Sequence, residues 1–252
     1  MAELPDAQDL NLCVAIQREP VMCACRSPFS RTRIWRAMAR SLAVPIALLA
    51  TGRMLAQPAQ SGCRPVADRT GDLGCWILAD GAIGKLPSAP MFWHLDTYPT
   101  RAAAESAKRE RGIVVEALGK MWLMTIAEKD WRPRSGLHVA DIGPLPVQSG
   151  LTYASQYMEA IANPGTTSSI HTHSGPEAWY TEAGESCLET PEGTITARAG
   201  GPPMIVRGGP PMLLMSIGTV QRRAIDLVLH DASQQPITIE HVWKPKGQCK
   251  VP

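Results

Sequence analysis

The stretch GTTSSIHTHSGPEAWYTEAG, residues 165–184, decides how this chain is read. Gly165 leads to His171 and His173, then to Glu177, and the stretch closes on Gly184. Residues two apart on a strand point to the same face, so His171 and His173 present their imidazoles to one side and can share one ion. Glu177 arrives across the following turn. Gly184 permits a tight turn into a strand that contains Cys187 and Leu188. Two imidazoles and a carboxylate from one short segment form a donor set for a divalent metal, with Fe, Mn, Ni, Zn and Cu all admissible.

On both sides the chain reads as short strands. From Tyr153 to about His230 the turn signals are Asn163-Pro164-Gly165, Pro191-Glu192-Gly193 and Gly208-Gly209-Pro210. Short strands at regular spacing, broken by Gly and Pro, argue for an all-β sandwich or barrel. Upstream, residues 75–79, 91–98, 113–127 and 138–142 alternate apolar and polar positions and read as strands. Between them Thr100 is placed to cap a helix through Ala102, Ala103, Ala104 and Lys108, with Gly112 ending it.

The spacing of Gly165, His171, His173, Glu177 and Gly184 resembles the first metal-binding motif of the cupin superfamily. The resemblance covers about residues 153–232 and implies a cupin-type (jelly-roll) β-barrel. Cupins return a further histidine to the ion from a second motif, whose best alignment here runs from Gly201 through Arg207 and Gly209 to Met212 and Ser216. Arg207 stands where the family has proline, Met212 where it has the ligating histidine, and Ser216 where it has asparagine. Met212 therefore reads either as a core filler or as a thioether ligand to a soft ion such as copper. Tyr180 and Glu182, alternating with Trp179, are expected to line the barrel mouth as proton-transfer or orienting groups, or else to face solvent. His94, in the run Phe92-Trp93-His94-Leu95-Asp96, reads as a satisfied core histidine. The block before the motif lacks a His-x-His and is either a β-rich block or a degenerate second cupin.

The 252 residues are 44% hydrophobic and 19% charged, within the range of globular proteins. A formal net charge of +2 provides no broad positive field, so no nucleic-acid partner is expected. Arg26, Arg31, Arg33, Arg36 and Arg40 precede the apolar run 42–50, the order of a secretory signal, with cleavage expected after Gly52 or Ala56. A short amphipathic helix is the plainer alternative, and Met22 and Met38 offer later starts. The expected divisions are 1–56 as targeting segment, 57–150 as a β-rich block and 151–252 as the cupin domain. Export would leave Cys63, Cys75, Cys187 and Cys249, an even number with three possible pairings, in a compartment where disulfides persist.

Together these readings imply an exported, metal-dependent enzyme acting on a small organic molecule. By resemblance it is a dioxygenase, isomerase or lyase, with oxygenase-like chemistry favoured because Met212 would leave one side of the ion open. The competing reading is a metal-free or metal-storing module whose cavity is lined by Met204, Met212 and Met215. No stable membrane insertion is expected after processing, and cupin barrels often pair edge to edge as homodimers.

Overall fold

A computed structural model describes residues 62–252. The expected targeting segment, with Cys13, Cys23 and Cys25, lies outside the described residues. In chain order the elements are β1 (Arg64–Pro65), β2 (Gly74–Lys85), β3 (Met91–Tyr98), α1 (Arg101–Ala107), β4 (Gly112–Ala117), β5 (Lys120–Glu128) and β6 (Leu137–Ile142). There follow β7 (Thr152–Ala162), β8 (His171–Thr172), β9 (Glu177–Ala183), β10 (Glu185–Thr190) and β11 (Gly193–Arg198). The last are β12 (Met204–Val206), β13 (Leu213–Ile217), β14 (Arg222–Asp231) and β15 (Thr238–Ile239). The fold is all-β, as the turn spacing predicts.

A six-stranded sheet, ordered β1-β2-β7-β14-β9-β12, forms the middle layer. On one side lies a four-stranded sheet, β4-β5-β3-β6, and on the other a three-stranded sheet, β11-β10-β13. Strand alternation divides the middle layer's side chains between these neighbours. Tyr153, Tyr157 and Ile161 of β7 and Ile225, Leu227 and Leu229 of β14 join Trp93, Leu95, Trp122 and Met124 in one apolar cluster. Met158 and Ala160 of β7 and Asp226 of β14 face the other way and line a cavity closed by Leu214 and Ser216 of β13. Because both faces of β14 are covered, every residue from Ala224 to His230 is buried. Burying each large apolar side chain stabilises the fold by roughly 1.5–3 kcal/mol, so the Trp-rich cluster dominates the stability of the layered arrangement.

The upstream block keeps its expected strands, with three changes of detail. Residues 113–127 are two strands, because Leu118 and Gly119 both adopt positive φ (52° and 75°) and turn β4 back as β5 in a two-residue hairpin. The Glu159 carboxylate of β7 accepts the Leu118 N–H at 2.7 Å and ties that turn to the middle layer. Thr100 caps α1 as expected, accepting from the Ala103 N–H at 3.2 Å, but the helix ends at Ala107, and Gly112 opens β4. β2 runs on to Lys85 and pairs along β7 from Gly74↔Ile161 to Lys85↔Thr152, so this sheet spans the division expected at residue 150. Among the described residues the upstream block thus has one sheet of its own and shares the middle layer as its facing sheet.

Two disulfides settle the pairing left open by the sequence: Cys63–Cys75 and Cys187–Cys249. The second pins the C-terminal tail to β10. The buried Glu189 carboxylate assists by accepting from the Lys246 N–H and, at 2.9 Å, the Gln248 N–H. Among the described residues no helix is long and apolar enough to cross a membrane.

Candidate metal centre

Backbone pairing sets the position of the histidines. The loop after β7 zips onto β13 through Gly165 N–H to Ser216 O and Ser168 N–H to Leu214 O, both 2.8 Å, and His171 exchanges two backbone hydrogen bonds with Met212 at 2.9 and 3.2 Å. On its other edge β8 pairs with β15, placing Ile239 opposite His171. Gly184 makes the turn that joins β9 to β10: its φ is +72°, and a Cβ there would sit 2.8 Å from the Arg222 Cα and the Gln221 carbonyl. Only glycine fits, which is the physical content of the motif's last position.

His171, His173 and Glu177 are 7%, 5% and 6% exposed, and one donor atom from each lies within 4.8 Å of the others. The two rings stand 4.8 Å apart at 73°. His171 Nδ1 donates to the Ser169 carbonyl at 2.7 Å, and His173 Nδ1 donates to the Pro236 carbonyl. A carbonyl oxygen only accepts, so Nδ1 carries the hydrogen in both rings and the neutral rings keep their Nε2 lone pairs for another partner. His173 Nε2 and Glu177 Oε2 lie 3.0 Å apart without hydrogen-bond alignment, and neither has another partner among the described residues. Two buried, unsatisfied polar atoms cost free energy unless something lies between them. A divalent cation satisfies both, and the donor set suits one.

The local electrostatics differ between the two rings. Burial holds the pKa of His171 below the usual histidine value, with the neighbouring His173 adding to the effect and Glu177 opposing it. Burial acts the same way on His173, but the Glu177 charge 3.0 Å away, helped by the Pro236 carbonyl, outweighs it and raises this ring's pKa.

The cavity has a volume of about 260 Å³, near the small end of the several-hundred-Å³ range for small-molecule pockets. The Cys63–Cys75 disulfide, Met158, Leu214 and Ile237 supply much of its wall. It also contains a pair that the sequence reading did not single out, Arg222 and Asp226. Arg222 Nη2 donates to Asp226 Oδ1 at 2.9 Å and Nε to Ser186 Oγ at 2.7 Å. Burial pushes the Asp226 carboxyl up to about 6, Arg222 pulls it down, and the Glu177 charge adds to the rise. The available signal was a charged pair four apart inside the run Arg222-Arg223-Ala224-Ile225-Asp226, which shares one face of a strand.

The structure brings His171, His173 and Glu177 together and leaves Tyr180 and Glu182 elsewhere. On β9 Glu177 faces the cavity, so positions 180 and 182 point to the opposite layer. Tyr180 packs edge-on against Trp122, with ring centroids 5.7 Å apart, and Glu182 pairs with Lys120 at 2.7 Å and Arg223 at 3.4 Å. The expectation that these two line the barrel mouth is thus corrected by strand parity: an odd–even difference from Glu177 places them on the wrong face. Met212, 1% exposed, packs with Trp179, Leu188, Ala197, Met204 and Val206, and its side chain is absent from the cavity lining. His94 is a satisfied core histidine: it contacts Asp141 at 2.6 Å through Nδ1 and donates from Nε2 to the Glu128 carbonyl at 2.9 Å.

No family model and no curated protein sequence matches the chain. Among solved structures it is similar to a cupin-like protein from Thermotoga maritima, at 11% identity and a TM-score of 0.31, covering 34% of this chain and 64% of that one. A cupin domain from Bordetella pertussis is similar at 18% identity and a TM-score of 0.26, covering 34% and 88%. Oxalate oxidase in complex with the substrate analogue glycolate is similar at 16% identity and a TM-score of 0.28, covering 34% and 45%. The chain therefore spans less than two thirds of the first of these proteins. The class that the described residues define is a layered all-β fold with a buried His-His-Glu group facing its cavity.

Proposed function

We propose that this protein is an exported, metal-dependent enzyme that acts on a small organic molecule in the cavity beside His171, His173 and Glu177. One observation carries the reading: His173 Nε2 and Glu177 Oε2 are buried, face each other at 3.0 Å and lack hydrogen-bond partners, while carbonyls hold both imidazoles by Nδ1. A divalent ion bound there would supply Lewis-acid or redox chemistry, and two His and one Glu leave coordination positions open. The chain's own residues orient the donors, surround the ligand with a largely apolar wall and present the Arg222–Asp226 pair to it. Oxygenase-like chemistry is favoured within this reading, because Met212 packs in the core and adds no donor beside the three. The two disulfides support an oxidising, exported setting.

The alternative is a metal-free or metal-storing binding module, favoured by the same absence of a fourth donor at Met212. Elemental analysis of protein produced with Fe, Mn, Ni, Zn and Cu supplements separates the readings. The enzyme reading expects about one equivalent of one metal per chain. Substoichiometric content of every metal would remove it. Mass spectrometry of the exported fraction is expected to find a mature start between residues 53 and 60, and an intact N-terminus in the cytosol would remove the export reading.

A further inference from the structure

Arg222 is the one permanently cationic side chain among the described residues that line the cavity. Its side chain is 3% exposed. Nε is engaged by Ser186 and Nη2 by Asp226, whereas Nη1 has no hydrogen-bond partner among the described residues. A buried guanidinium held at two of its nitrogens is preorganised, and the donors left over match the geometry of a carboxylate.

The register locates this donor relative to the metal site. Val228 lies opposite Glu177, and Asp226, two residues back on the same face of β14, lies opposite Trp179. Two residues of strand span roughly 7 Å, so the guanidinium paired with Asp226 is about one short carbon chain away from the ligand trio. Met158, Ala160 and Leu214 make the wall of this cavity apolar. The charges agree with an anionic ligand: Arg222 and Asp226 cancel, and a divalent ion beside Glu177 leaves a net positive site.

The geometry points to a short-chain carboxylic acid as the ligand of this cavity, with one carboxylate on Arg222 Nη1 and a second oxygen group at the His171–His173–Glu177 site. The inference rests on the metal-site reading above and adds to it the substrate class and the residue that selects it. It makes Arg222 a specificity-determining residue, held in place by Asp226 and Ser186.

The test is calorimetric titration of zinc-loaded full-chain protein with succinate and with butyrate, in wild type, Arg222→Gln and Arg222→Lys. Wild type should bind the dicarboxylate at least ten-fold tighter than butyrate, because only the dicarboxylate reaches both ends of the cavity. Arg222→Gln should weaken succinate binding roughly ten- to hundred-fold with zinc content unchanged, and Arg222→Lys should weaken it less. Equal affinity for the two acids in wild type overturns the inference without any variant. Unchanged succinate affinity in a folded, zinc-loaded Arg222→Gln protein overturns it as well. If wild type takes up neither zinc nor any of Fe, Mn, Ni and Cu, the metal-site reading fails separately. In that event butyrate binding to the metal-free protein, lost in Arg222→Gln, would still support the carboxylate site, and no butyrate binding would end it.

Discussion

The two faces of β9 show how one strand serves two layers. Glu177 and Trp179 look towards the three-stranded sheet, where the cavity holds His171, His173, Arg222 and Asp226. Ala178 and Tyr180 look towards the four-stranded sheet, where Trp93, Trp122 and Met124 form the main apolar cluster, and Glu182 on the same side forms ion pairs with Lys120 and Arg223. Residues adjacent in sequence thus differ in role because the neighbouring layer differs. One face stores stability as buried apolar area. The other spends some of that stability on buried polar groups that need a ligand or each other.

The sharpest way to break this comparison is to remove a donor. His171→Ala or His173→Ala should reduce metal content from about one equivalent to near zero while far-ultraviolet circular dichroism stays unchanged, since the ligand face contributes little apolar burial. Full occupancy in either variant would show that the ion sits elsewhere. On the opposite face, Trp122→Ala should destabilise the protein by about 3–5 kcal/mol in denaturant unfolding, because Trp122 is fully buried in the largest cluster. The fraction that remains folded should keep its metal. A loss below about 1 kcal/mol would show that the middle layer does not depend on this packing.

The next effect follows from Asp226, whose carboxyl is pushed up to about 6 from its ordinary 3.8, chiefly by burial. A raised folded-state value means that folding favours the protonated form. Its stabilisation is complete below the unfolded value near 3.8 and is lost as pH rises through about 6. In metal-free protein the stability of wild type relative to Asp226→Asn should therefore fall between pH 4 and pH 7, by on the order of 2–3 kcal/mol. Paired urea titrations at the two pH values measure it, and a flat or rising difference would contradict the burial. The smallest effect is expected where the sequence first placed catalysis. Tyr180→Phe and Glu182→Gln should each change stability by less than about 1 kcal/mol and leave metal affinity unaltered, because both act on the far face and Glu182 forms half-exposed ion pairs. A metal affinity altered ten-fold by either would restore them to the site.

Much of the fold was readable from local pattern. The run 91–98 is β3, with its bounds unchanged, because alternation along Phe92-Trp93-His94-Leu95 matches a strand packed on both faces. The hairpin within 113–127 was hidden, because Leu118 takes a positive φ that side chains other than Gly, Asn and Asp rarely adopt, so no turn signal marks it. The end of α1 was misplaced for a similar reason: Gly112 suggested a C-terminal cap, but the chain leaves helical geometry at Lys108.

The sequence by itself determined that the chain is all-β and that His171, His173 and Glu177 share one site, because these follow from a period of two and a short turn. Only the tertiary structure decided which layer each face of β9 would meet, and hence that Tyr180 and Glu182 lie away from the cavity. It also paired Cys63 with Cys75 and Cys187 with Cys249, brought the Pro236 carbonyl to His173, and set Arg222 against Asp226 in the cavity of His171, His173 and Glu177. The physical reason is range. Strand parity and turn chemistry act over a few residues and are written in the order of the side chains, whereas these contacts join segments whose separation along the chain carries no signal until the sheets have stacked.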